Sequence, residues 1–101
     1  TALTPSGTTQ TVDFDNGNFQ RLGLGSASGN VTLTLSNPKT AARYRIAITQ
    51  GATARTLVWP AAVKWANGQA PILSTVNGEI DVVELYYDGT NYFGDWDVAY
   101  A

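Results

Sequence analysis

A period of two constrains this chain more than any other feature. From Asn30 to Ser36, Val31, Leu33 and Leu35 alternate with Thr32, Thr34 and Ser36. That pattern puts one side of a strand in a core and the other in water. No segment sustains the 3.6-residue apolar period of a helix over the length a helix needs. Alternation recurs along the chain. Val12 and Phe14 oppose Asp13 and Asp15 in Thr11–Asp15, and Leu22 and Leu24 share a face in Phe19–Leu24. In Arg43–Thr49, Tyr44, Ile46 and Ile48 point one way and Arg43 and Arg45 the other. Thr56–Trp59 and Ala62–Trp65 read as shorter strands. Ile80–Tyr87 is rich in β-branched and aromatic residues, and Asn91–Tyr100 returns against it across Asp88-Gly89, a strong hairpin signal.

Turns separate these pieces at Asn37-Pro38, Gln50–Ala54 and Ala66–Pro71, where Pro lacks an N–H and Gly and Asn tolerate tight backbone. The pattern predicts an all-β fold, a small antiparallel β-sandwich or open barrel of about eight short strands. Arg43–Thr49 is expected to return against Asn30–Ser36. With 101 residues the chain is one domain, 1–101, in which residues 1–9 form a lead-in linker or extended strand. The start at Thr1 without a Met reads as processing or, preferably, as one piece of a longer protein. No internal repeat stands out.

Composition narrows the chemistry. His, Cys and Met are all absent, which excludes a Ser-His-Asp triad, a thiol nucleophile, the usual zinc site and any disulfide. The net charge is −2, and nucleic acid finds no clustered basic face in the sequence. No apolar run approaches the ~18 residues of a membrane span. No metal or other cofactor is expected.

Carboxylates are then the remaining acid–base candidates, as Asp13 with Asp15, Glu79 with Asp81, and Asp95 with Asp97. A glycosidase needs two carboxylates facing each other across a cleft, and alternate residues of one strand do not provide opposed walls. Solvated strand faces or protected edges are the simpler reading, and no enzyme is expected. Asp88, Asn91, Asp95 and Asp97 form an incomplete oxygen set for calcium, with Asp88 already explained by its turn.

The aromatic residues carry more. A ring beside carboxylates and amides grips a sugar's C–H face while polar groups take its hydroxyls. The ligand candidates are Trp59, Trp65, Tyr86, Tyr92, Phe93, Asp95 and Asp97, weighed against plain core packing, which favours the inside for Trp59 and Trp96. The hairpin should place Val83, Leu85, Tyr87, Tyr92, Trp96 and Val98 on a core face, with Val82, Glu84, Tyr86, Phe93, Asp95 and Asp97 opposite. On that second face Tyr86 and Phe93 admit three roles: a subunit interface, contact with the second layer of a sandwich, or a ligand surface. Arg43 and Arg45 read as a charged edge strand, as contacts to a neighbouring subunit, or as contacts to an acidic sugar.

Three segments together, Gly29–Pro38 (GNVTLTLSNP), Leu57–Pro71 (LVWPAAVKWANGQAP) and Gly78–Gly94 (GEIDVVELYYDGTNYFG), resemble the small β-domain near the C-termini of phage tail fibre, tail spike and other virion-surface spike proteins. Gene-transfer particles and cell-surface adhesins carry similar domains. The resemblance implies a homotrimeric virion structural module, extracellular when acting, with host cell-surface glycans or receptors and other virion proteins as partners. It brings no shared catalytic motif. Low charge with abundant Thr, Asn and aromatic side chains suits neutral glycans. Two alternatives follow, a purely structural trimerisation or attachment module, and a carbohydrate-binding module appended to a glycan-degrading enzyme. Tyr86, Phe93, Arg43 and Arg45 are the subunit-interface candidates.

Overall fold

The computed structural model describes residues 2–5, 7–65, 68, 73 and 75–100, with side chains left undescribed at Ala2 and at 97–100. Among these residues the chain forms β1 (Ala2–Leu3), β2 (Thr9–Asp13), a 3-10 turn (Phe14–Asn16), β3 (Phe19–Gly23), β4 (Val31–Ser36) and β5 (Ala42–Thr49). Then come β6 (Leu57–Val58), β7 (Val63–Trp65), β8 (Ile80–Tyr87) and β9 (Tyr92–Tyr100). The expected all-β fold is observed, in two sheets. The larger runs β1-β3-β5-β8-β9-β7 and the smaller β2-β4-β6. The loop expected at Ala66–Pro71 lies outside the described residues, apart from Gly68.

The connectivity differs from the antiparallel one expected. From β1 to β7 successive strands alternate between the sheets; β1 to β6 lie parallel to neighbours one circuit away, while β7 lies parallel to β9. Ala2 stands beside Arg21 and Phe19 beside Arg45 in the larger sheet, Thr9 beside Thr32 and Val31 beside Leu57 in the smaller. Each circuit advances 19 to 26 residues, as in a solenoid turn. Antiparallel pairing is confined to β5–β8 and β8–β9. β5 therefore does not return against β4; it crosses to the other sheet. The physical reason is that a period of two specifies which side of a strand is buried, not the direction or sheet of its partner. The crossover uses left-handed backbone at Asn37 (φ 55) and Ala41 (φ 65).

The two sheets bury their facing sides against each other. Val12, Val31 and Leu33 of the smaller sheet, together with Leu22, Ile46, Ile48, Val83 and Leu85 of the larger and Leu24 just after β3, form the buried centre. Phe14 stacks on Tyr44 with ring centroids 3.9 Å apart, and Tyr92 closes the same end of the core. Among the described residues three polar side chains are also buried: Gln20, Gln50 and Asp81. Gln20 Nε2 donates to the carbonyls of Asp13 (2.7 Å) and Gly17 (3.1 Å), pinning the turn between β2 and β3. Because Gln20 takes the inward position, Phe19 is turned outward. Asp81 pairs with Ile48 on the inward side, so the solvated face expected for Glu79 and Asp81 does not hold at Asp81. No helix among the described residues is long and apolar enough to cross a membrane.

Candidate functional site: the uncovered face of the larger sheet

The smaller sheet covers one side of the larger sheet and, among the described residues, leaves the other bare. Strand alternation decides what that bare side displays. On β3, Phe19 and Arg21 point outward; on β5, Arg43 and Arg45; on β8, Glu84 and Tyr86; on β9, Phe93 and Asp95; on β7, Lys64. Backbone register arranges these into rows that cross the strands. One row is Arg43, Tyr86, Phe93 and Lys64, each paired with the next. The adjoining row is Phe19, Arg45, Glu84 and Asp95.

The second row is electrostatically satisfied at its centre, where Arg45 Nε donates to Glu84 Oε2 at 3.1 Å. Both side chains are well exposed, so the pair contributes at most about 1 kcal/mol. The first row contains no acid. Its cations flank two exposed rings, Tyr86 at 38% and Phe93 at 49%. The Arg43 guanidinium lies over the Tyr86 ring, 5.9 Å from its centroid, and Arg21 lies 6.0 Å from the centroid of Phe19. Four of the six Lys and Arg residues thus share one face of a chain whose net charge is −2. Glu84 and Asp95 stand side by side on neighbouring strands, not on opposed walls of a cleft.

The structure divides the ligand candidates. Tyr86, Phe93 and Asp95 come together on the bare face, beside Arg43 and Arg45. Tyr92 does not belong with them. It is 5% exposed on the core side, with its ring 4.7 Å from Tyr87, and burial, reinforced by Tyr87 and Tyr44, pushes its phenol up to about 12. The alternation that places Tyr92 opposite Tyr87 is what removes it from any ligand surface. Trp59 and Trp65 are half-buried against the core and meet edge-on at 5.2 Å. They belong to the packing, away from the exposed rings. Asp97 pairs through its backbone with Val82; its side chain, like that of Val98, lies outside the described part.

Other acids are engaged locally. Asp88 Oδ1 accepts the backbone N–H groups of Asn91 (2.7 Å) and Thr90 (2.8 Å), which lower its pKa. Asp13 Oδ1 accepts from Asn37 Nδ2 and from the N–H of Asp15, with the same result, and Asp15 pairs with Lys39 at 3.2 Å.

The sequence reading missed three members of this face: Phe19, Arg21 and Lys64. The signal for Lys64 was available, since Val63 and Trp65 alternate around it. Phe19 could be recognised only by accepting Gln20 as a core residue, against its polarity. The bare face removes one of the three roles open to Tyr86 and Phe93. The second layer of the sandwich packs on the opposite side, leaving a subunit interface or a ligand surface.

Comparison with protein-family models, curated proteins and solved structures finds no significant match to this chain.

Proposed function

We propose that this domain is a non-enzymatic module of a phage-type virion surface, of the tail fibre, tail spike or head spike kind, and that it recognises a host cell-surface glycan through the bare face of its larger sheet. One observation carries this reading: two large rings, Tyr86 and Phe93, stand exposed and adjacent in a row bounded by Arg43 and Lys64. Exposed aromatic surface costs solubility, and where it is grouped with polar groups it marks an interaction site. The two rings stand on β8 and β9, inner strands of the larger sheet that are paired on both sides. The face therefore presents its side chains with little ordering cost on binding. The resemblance of Gly29–Pro38, Leu57–Pro71 and Gly78–Gly94 to virion-surface β-domains supplies the setting. In a trimer, three such faces would multiply weak contacts.

The same two rings support one other reading, a face that joins subunits. Light scattering over a dilution series, with the chain and with Y86A/F93A, separates the two. Recognition predicts that the double variant keeps its mass and loses attachment to host cells. Loss of assembly in the variant would assign the face to a subunit contact instead.

A further inference from the structure

We infer that the ligand of this face is an acidic carbohydrate, a carboxylated oligosaccharide lying across the strands along Arg43, Tyr86, Phe93 and Lys64. The inference rests on the recognition reading above and names its ligand class. Composition favours neutral glycans, but the register changes that expectation by concentrating cations where the rings are.

The row has a definite order: cation, ring, ring, cation. Neighbouring strands stand about 4.8 Å apart, so its two cations are separated by roughly 14 Å along the sheet. A short oligosaccharide covers that distance. Phe93, with the more exposed ring, takes the C–H face of a pyranose, and Tyr86 continues the platform. The ends of the row meet the ligand's carboxylates. Among the described residues, neither Arg43 nor Lys64 has a carboxylate partner. Arg43 is held only by the face of Tyr86, which leaves its guanidinium edge open to a carboxylate. Arg45, by contrast, is already occupied by Glu84. The adjoining Glu84 and Asp95 offer acceptors for the ligand's hydroxyls. Their presence beside the row, with the net charge of −2, separates this face from a single-stranded nucleic-acid platform, where rings and cations combine without acids.

Titration of the chain with oligogalacturonate and with a neutral oligogalactan of equal length tests this. Oligogalacturonate is expected to bind about tenfold more tightly, through charge-assisted contacts at both ends. R43A and K64A should each remove most of that advantage, and added salt should weaken it. F93A should weaken both ligands. All of these positions are exposed, so folding is preserved, and an unchanged melting temperature verifies it. Equal binding of the two oligosaccharides, still abolished by F93A, would overturn the acidic ligand while leaving glycan recognition standing. Preference for a single-stranded oligonucleotide, or concentration-dependent self-association abolished by Y86A/F93A, would overturn both. Absence of binding to either sugar, in a chain that still blocks virion attachment to its host, would overturn the acidic ligand alone.

Discussion

Gly94 stands opposite Trp65 in the β7–β9 pairing, and the indole fills the space that a side chain at position 94 would occupy. A Cβ there would collide with Cζ3 and Cε3 of the ring. The indole in turn meets Trp59 edge-on, and its strand carries Lys64 to the bare face on its opposite side. One small residue thus seats both the tryptophan pair and one end of the proposed binding row.

Gly94→Ala should therefore lower stability by about 1–3 kcal/mol, the usual cost of overpacking a filled site. Urea denaturation followed by tryptophan fluorescence measures it. The native emission should also shift, since both indoles must move. An unchanged midpoint would place the indole away from Gly94.

Gln50 is the other single residue on which much depends. Its Nε2 donates to the carbonyl of Arg55 (2.7 Å) and its Oε1 accepts the N–H of Arg55 (3.1 Å), closing the loop between β5 and β6. Its own backbone joins Glu79 and Gly78. Gln50→Leu preserves the bulk and strands the polar groups of Arg55, so a loss of about 2 kcal/mol is expected. Faster amide exchange at Arg55 would locate the damage.

Stability should depend on pH at both ends of the range. Asp13 and Asp88 are held below the ordinary value of 3.8 in the folded chain, by the Asn37 amide and the Asp15 N–H at Asp13 and by the Asn91 and Thr90 N–H groups at Asp88. Their contribution is present above 3.8 and is lost as pH falls through the lower folded values. Asp88→Asn should flatten part of that acid decline in melting temperature. Tyr92 runs the other way, with a phenol raised from 10.0 to about 12. Its contribution is complete below pH 10 and disappears as pH rises towards 12. Tyr92→Phe should remove that alkaline decline, and absorbance titration should show one tyrosine ionising late.

Much of this was legible in residue alternation. Val31, Leu33, Tyr44, Ile46 and Ile48 are buried where the period of two puts them, and the hairpin faces follow from the Asp88–Asn91 turn. Which strands become neighbours was not legible. β3 lies between β1 and β5, and β4 between β2 and β6, through parallel pairings whose residues share inward positions but no repeated motif. The site was half visible for a related reason. Tyr86, Phe93, Arg43 and Arg45 come from a hairpin and the strand beside it, whereas Lys64 and Phe19 join only once the sheet order is known. Trp65 was a candidate because its short strand left its side of the sheet open, whereas Tyr92 was one even though the hairpin alternation had already placed it on the core face, where it lies. Asp81 and Gln20 show the converse, polar residues at positions that alternation assigns to the core.

The central claim, that the bare face of the larger sheet is the recognition surface, is tested most directly by competition for attachment to host cells. The chain in excess should block attachment of the virion proposed to carry it. Y86A/F93A, equal in melting temperature and in mass by light scattering, should fail to block. Equal blocking by the two proteins would contradict the claim and move recognition to another part of the molecule.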